Sequence, residues 1–469
     1  MLLRYFYDEK LAHASYLVGC QRTGEAIVID PGRNLEPYFE VAKKEGVNIT
    51  AATETHIHAD FLSGARELGM KYGAKLYLSD EGDENWKYQY ISDVNHELVK
   101  DGSKFKIGNI LFEVMHTPGH TPESISFILT DQGGSADRPM GIFTGDFVFV
   151  GDVGRPDLLE KAAGVQGTAD SGARALYRSL ERFKQLPDYL QVWPAHGAGS
   201  ACGKALGAVP SSTVGYEKMF NWALQFSDEE AFVKELLFGQ PEPPKYFAMM
   251  KKLNKIGPAL RSEQPVSVVK TVEEWNNLDK EAYTIVDARP SAVFMKGHLP
   301  GTINIPYNKS FTNWAGWLLK YDKDFVVLAD EASYGGIIKA LQSIGLDNIA
   351  TFADVNLIPQ LGVALETYEE AEAVQAMELM EKENLPIIDV RNQTEWNEGH
   401  IPNAIHIMLG TLPDRIGEVP QNQRVIVQCR SGARSAIAAS ILQANGIKEV
   451  INLKGGYIAW EKAKLPVTV

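Results

Sequence analysis

Five of the chain's ten histidines fall into short motifs whose combined chemistry is that of a metal site. Thr55-His56-Ile57-His58-Ala59-Asp60 sets two imidazoles one residue apart and a carboxylate two residues on. It closes an apolar run (Val47, Ile49, Ala51, Ala52) that predicts a buried strand. His116 and His120 follow in His-Thr-Pro-Gly-His, Asp146 in Phe-Thr-Gly-Asp-Phe, and His196 in Trp-Pro-Ala-His-Gly, each just after an apolar segment. Imidazole plus carboxylate is a ligand set for zinc or iron, and strand ends meeting at one sheet edge would assemble it. Pro118 and Gly119 bend the chain between His116 and His120, so only one of that pair is expected at a shared metal.

A second chemistry is written around Cys429. The predicted strand Arg424 to Gln428 runs into Cys429-Arg430-Ser431-Gly432-Ala433-Arg434-Ser435, followed by a helical Ala436-Ile437-Ala438-Ala439. A thiol at a strand end, cradled by N–H groups at a helix N-terminus and flanked by Arg430 and Arg434, should have a lowered pKa and attack anionic substrates. Four residues separate Cys429 from Arg434, a loop size that favours sulfur over phosphate as the bound atom. Cys20 and Cys202 are the other cysteines; without any Cys-x-x-Cys, the three do not make a disulfide framework. Cys20 reads as a packed residue of a hairpin. Cys202, in the glycine-rich stretch after His196, is either a small buried residue or a thiol near the metal and its substrate.

The elements that must position these groups come next. At 469 residues, the chain has room for two to four domains, and its 45% hydrophobic and 23% charged content is ordinary for a globular protein. A net charge of -14 argues against a nucleic-acid partner or a basic membrane-surface protein, and no segment approaches the length of a membrane span. A cytoplasmic protein is expected.

Residues 15–29 read as a hairpin broken at Arg22-Thr23-Gly24, and 104–116 as another turning at Gly108-Asn109. Residues 124–130, 141–144 and 189–193 read as strands, and 65–72 as a helix with Ser63 as its N-cap. Asp30 follows a buried strand and reads as a turn residue; the family resemblance named below implies instead a hydrogen-bond acceptor near the metal loop. Arg155 either grips a substrate carboxylate bidentately or forms a surface ion pair. Residues 216–255 are helical, interrupted by Pro241, Pro243 and Pro244, and 261–265 form a linker.

A repeat follows. Ile285-Val286-Asp287-Ala288-Arg289 and Gly297-His298-Leu299-Pro300 match Ile387-Ile388-Asp389-Val390-Arg391 and Gly399-His400-Ile401-Pro402, with eleven residues from Asp to His in both copies. Three domains are expected, at 1–260, 261–365 and 366–469.

In their order, the first-half motifs resemble the metallo-β-lactamase superfamily, whose members carry a His-x-His-x-Asp-His loop. Phe61 stands where that pattern has its last His. In the superfamily's dinuclear zinc hydrolases that His joins the matches of Asp60, Asp146 and His196 around a second metal, so a single metal is expected here. The Asp-Val-Arg, Gly-His-Ile-Pro and Cys429 motifs resemble the rhodanese family, in which the matching Cys carries a persulfide. The first copy has Ala329, Asp330 and Glu331 in place of the thiol loop and is expected to be catalytically silent, serving packing or oligomer contacts.

The implied fold is α/β: a metallo-β-lactamase αββα sandwich followed by two rhodanese-like α/β domains. Single-metal members joined to rhodanese domains resemble persulfide dioxygenases. That resemblance implies mononuclear Fe(II) held by His56, His120 and Asp146, with His58 and His196 beside it contacting substrate or bound water. It implies oxidation of a low-molecular-weight thiol persulfide, of glutathione, coenzyme A or similar, by O2 to sulfite. Cys429, with Arg430 and Arg434, would relay sulfane sulfur among persulfide, thiosulfate and sulfite in sulfide detoxification, and a homo-oligomer is expected. The alternative is a zinc thioester hydrolase like glyoxalase II with a sulfur-carrier domain, whose second metal Phe61 counts against.

Overall fold

Two six-stranded sheets carry the metal motifs. The first runs, in spatial order, β1 (Leu2–Asp8), β2 (His13–Cys20), β3 (Glu25–Ile29), β4 (Asn48–Thr53), β5 (Lys75–Ser79) and β6 (His96–Val99). The second contains β7 (Lys104–Ile107), β8 (Ile110–His116), β9 (Ile125–Asp131), β10 (Gly141–Gly145), β11 (Gln191–Pro194) and β12 (Ser212–Thr213), again in sequential order. The computed structural model describes residues 1–469 except 135, 164–166, 205, 263 and 469.

Successive side chains on a strand point to opposite faces, and the sequence uses both faces. Tyr16, Val18, Ile27 and Ile29 pack against Phe105, Phe112, Phe127, Phe143 and Trp193 of the other sheet, forming the inner core. Leu17, Ala26, Val28 and Ala52 point the other way, onto Tyr38, Ala42, Ala65 and Leu68 of helices Glu36–Glu45 and Ala65–Tyr72. Ile142 and Val192 likewise meet Leu176, Leu180 and Phe183 of helix Thr168–Phe183 and Phe232 of helix Glu229–Leu237. The layers are therefore αββα. Each fully buried Leu, Ile or Phe contributes about 1.5–3 kcal/mol, so apolar groups hold the layers together and the polar motifs collect in the strand-end loops.

The hairpin 104–116 turns at Gly108-Asn109 as its sequence predicts, with Ile107 paired to Ile110. Ser63 differs from expectation. Gly64 is the N-cap of the helix Ala65–Tyr72, and Ser63 Oγ accepts the Ala65 N–H at 3.0 Å. A Cβ at position 64 would lie 2.6 Å from the Gly32 carbonyl oxygen, so the close approach of two loops excludes a capping side chain there.

By contacts the chain divides into two units, Met1–Ser262 with Gln342–Gly345, and Glu263–Leu341 with Leu346–Val469. Within the second unit the repeat is structural. β13 (Ser267–Val269), β14 (Thr284–Asp287), β15 (Ile303–Asn304), β16 (Phe325–Ala329) and β17 (Ile349–Asp354) are ordered β13-β17-β16-β14-β15. β18 (Glu369–Ala371), β19 (Ile387–Asp389), β20 (Ile405–His406), β21 (Val425–Gln428) and β22 (Val450–Leu453) are ordered β18-β22-β21-β19-β20, the same topology.

The shared motifs do the same structural work in both copies. Arg289 and Arg391 fork onto Asp287 and Asp389 and donate onward to the Gly297 and Gly399 carbonyls at 3.0 and 2.8 Å. His298 and His400 stack on Phe294 and Trp396 at 3.8 and 3.7 Å.

Candidate metal centre and sulfur site

The metal motifs emerge from the ends of β4, β8, β10 and β11 and converge. His56, His120 and Asp146 are all buried, and one ligand atom from each lies within 4.8 Å of the others. The rings are held so that Nε2 faces inward. Thr55 Oγ1 donates its proton to Asp30 Oδ2 at 3.0 Å, so it must accept from His56 Nδ1, also at 3.0 Å. His120 Nδ1 donates to the Arg155 carbonyl at 2.9 Å, and His196 Nδ1 to the Ala12 carbonyl at 2.8 Å. A fixed Nδ1–H leaves a basic Nε2 lone pair for a metal.

Burial pushes His56 and His120 below the ordinary imidazole value, which keeps them neutral. Burial works against a charged Asp146, yet His196, His56 and His120 hold its carboxyl well below its ordinary value. Among the described residues, His56 Nε2, His58 Nδ1, His196 Nε2 and both oxygens of Asp60 and Asp146 are buried and make no hydrogen bond. Buried polar atoms are rarely left bare, and so many converging orphans fit a cation.

His58 stands beside this trio. Its Nε2 is bonded to Asp30 Oδ1 at 3.0 Å, and although burial opposes its charge, Asp30 raises its pKa to about 9. Asp30 is thus the hydrogen-bond acceptor behind the metal loop, and it holds a left-handed φ of 51° while serving Thr55 and His58 together. His116 lies apart, with Nε2 bonded to the Pro122 carbonyl at 2.8 Å.

A second group of inward-facing atoms sits next to the first: Asp60, His196 and Cys202, again within 4.8 Å of one another. The sequence left Cys202 open between packing and the metal, and the structure brings it to the site, fully buried, where burial pushes its thiol up to about 12.

Of the two readings of Arg155, the structure shows the ion pair, buried rather than at the surface. Its side chain is 0% exposed, bonded to both Asp157 oxygens at 2.7 Å and to the Pro241 carbonyl at 2.7 Å. A guanidinium with its fork already filled has no donors facing a substrate; its backbone oxygen, which orients His120, is what reaches the site.

Two residues escaped the sequence reading. Asn254, in helix Tyr246–Ile256, accepts the Ser63 N–H at 2.9 Å and donates to the His58 and Phe61 carbonyls at 2.8 Å each, clamping the metal loop. His13 pairs through its backbone with His196 and lays its ring on Phe61 at 3.8 Å.

Cys429 follows β21 immediately and is buried beneath its loop; its Sγ accepts the Gly432 N–H at 3.2 Å and the Ser435 hydroxyl at 3.4 Å. Arg430 is exposed. Arg434, read as flanking the thiol, is bonded to both Glu395 oxygens at 2.6 and 2.7 Å. In the first copy, Leu328 pairs with Asp287 as Gln428 pairs with Asp389, so Ala329 occupies the position of Cys429. A cavity of about 600 Å³ opens beside the thiol loop, walled by Gly432 and Arg434 from one copy and by Ser291, Tyr307, Asn308 and Trp314 from the other.

A family model described as the metallo-beta-lactamase superfamily matches residues 9–196, and one described as the rhodanese-like domain matches 271–352 and 372–463. A solved structure of a metallo-beta-lactamase from Staphylococcus aureus is 45% identical, with a TM-score of 0.69, covering 76% of this chain and 98% of that one. The chain belongs to the metallo-β-lactamase superfamily. Behind its metallo-β-lactamase domain it carries two rhodanese-like domains. A sulfurtransferase of Allochromatium vinosum is 38% identical over 89 residues, 19% of this chain and 83% of the relative. The mitochondrial persulfide dioxygenase ETHE1 of Bos taurus is 28% identical over 239 residues, 50% of this chain and 80% of the relative. In the metallo-β-lactamase domain, Phe61 lies fully buried between His13 and His58, its ring 3.8 and 4.4 Å from theirs, so the site carries an apolar wall at that position. No helix among the described residues is long and apolar enough to cross a membrane.

Proposed function

We propose that the chain oxidises a low-molecular-weight thiol persulfide with O2 to sulfite and thiol in its metallo-β-lactamase domain, and moves sulfane sulfur at Cys429. The observation that carries the first half is the converging trio His56, His120 and Asp146, with two neutral imidazoles and one ionised carboxylate. Two histidines and a carboxylate suit non-haem Fe(II), which when bound there would supply O2 activation with coordination positions left open. The likeness to a persulfide dioxygenase supports the same reading.

The surrounding residues then have defined work. The hydrogen bonds from His56 and His120 through Nδ1 fix the ring orientations, and Phe61 keeps the wall beside His58 dry. His58 and His196 contact substrate or bound water. The overall reaction consumes one persulfide, one O2 and one water and yields thiol, sulfite and two protons.

In the rhodanese-like domain, the Gly432 N–H and Ser435 hydroxyl stabilise negative charge on the Cys429 sulfur, which takes a sulfane sulfur and gives it to sulfite or a thiol. A sulfurtransferase relative supports this half. Sulfite from the first centre is thus an acceptor for the second, an arrangement that serves sulfide detoxification.

The Cys429→Ser variant tests the division of labour. Thiosulfate-linked sulfur transfer should fall to background while direct oxidation of glutathione persulfide continues; sulfur transfer at the parental rate would refute the role of Cys429.

A further inference from the structure

The cavity of about 600 Å³ beside the Cys429 loop is built by both rhodanese-like copies, with Tyr307 and Trp314 on the silent side and Gly432, Arg434 and Asn452 on the active side. Gly432 joins this cavity to the nucleophile, since it lines the wall and gives its N–H to the Cys429 sulfur at 3.2 Å. The volume is far more than a tetrahedral oxyanion fills, and it lies within the range of small-molecule sites, about 300–1,000 Å³.

The polar groups on this wall suit a cation better than an anion. Arg434 is the wall's cation, and both Glu395 oxygens already hold its guanidinium. Glu370 is the wall's carboxylate, and it is exposed. Lys454 feels its charge but is bonded to Glu372 at 2.7 Å. Asn452, 3% exposed, donates through Nδ2 to Glu370 Oε1 at 3.4 Å and to the Gly432 carbonyl at 3.3 Å. Those two acceptors fix the amide orientation and leave Asn452 Oδ1 buried without a hydrogen bond among the described residues. A bare buried acceptor costs free energy that a donor removes. An amide oxygen next to a carboxylate complements an ammonium group, which carries three donors and no acceptor.

We propose that this cavity seats the organic body of an ammonium-bearing low-molecular-weight thiol whose persulfide is the sulfur donor to Cys429, with the ammonium held by Asn452 and Glu370. The inference rests on the sulfur-transfer reading of Cys429 and names the donor. It also gives the silent copy a task, because Tyr307 and Trp314 form the aromatic wall facing the donor's carbon chain. The Cys429 thiolate attacks the terminal sulfur of the persulfide, the donor's S–S bond breaks, and the thiol leaves with the persulfide proton. Cys429 is left as a persulfide anion. One sulfane sulfur changes hands, and no outside oxidant or reductant is consumed.

Anaerobic formation of thiosulfate from sulfite by the full chain tests this with a matched pair of donors, cysteine persulfide and N-acetylcysteine persulfide, which differ in the ammonium group. The ratio of their kcat/KM values should favour cysteine persulfide. Glu370→Gln should shrink that preference about 2–5-fold, the worth of one exposed ion contact, through KM rather than kcat, and Glu370→Lys should reverse it. Equal use of the two donors by the parental protein, or a preference unchanged in Glu370→Gln, would overturn the ammonium site. Cys429→Ser separates the two levels of the argument. Transfer that persists without the thiol would sink the sulfur-transfer reading, whereas thiol-dependent transfer that ignores the ammonium would sink this inference alone.

Discussion

Replacing Arg155 by Met separates a substrate-binding arginine from a structural one. The guanidinium is fully buried, paired bidentately with Asp157 at 2.7 Å and bonded to the Pro241 carbonyl. Methionine fills much of the volume but leaves the Asp157 carboxylate, 4% exposed, with Lys161 at 3.3 Å as its remaining cation. Breaking one side of a buried pair costs about 3–5 kcal/mol, and Lys161 places this case at the lower end, ~3 kcal/mol. For a domain of this size that is a fall of roughly 6–12 °C in the unfolding midpoint.

The double variant Arg155→Met, Asp157→Leu removes both charges and should recover most of the loss, since a buried pair replaced by apolar groups is often neutral. The assay is calorimetric unfolding of the full chain alongside persulfide saturation kinetics. A variant with parental stability and a raised KM would refute the structural role and restore Arg155 as a substrate contact.

Further consequences follow from the clamp and the thiol loop. Asn254→Ala strips partners from the Ser63 N–H and the His58 and Phe61 carbonyls, and metal affinity measured by chelator competition should fall about 10–100-fold; unchanged affinity would contradict the clamp. Burial alone would raise the Glu395 carboxyl, but Arg434 and the Asn392 N–H hold it below its ordinary value. A depressed carboxylate stabilises the fold above its unfolded pKa and loses that contribution as pH falls through its folded pKa, so the second unit should weaken on acidification, less steeply in Glu395→Gln. Parallel pH profiles for the two proteins would contradict the pairing.

The convergence of His56, His120 and Asp146 was legible because each follows an apolar strand in a loop a few residues long, so local pattern alone places it at a strand end. The two-copy repeat was legible for a similar reason: Asp, Arg and His recur at fixed spacing because each copy needs the same internal brace. What was not legible depends on distant backbone. Nothing near Cys202 shows that its loop returns to Asp60, and Asn254 looks like any polar residue of an amphipathic helix. Arg155 stayed open between a substrate contact and a surface ion pair because its burial against Asp157 is a tertiary property. Ser63 lost the cap to Gly64 because two loops approach too closely for a Cβ.

The central claim is that the trio His56, His120 and Asp146 supports oxidation of a persulfide. The most direct measurement is O2 uptake by iron-reconstituted protein on addition of glutathione persulfide, with sulfite assayed in the same vessel. One sulfite per O2, abolished by chelation and by His120→Ala, is the predicted result. Absence of uptake with glutathione or coenzyme A persulfide, together with zinc-dependent thioester cleavage, would contradict it and make the chain a hydrolase.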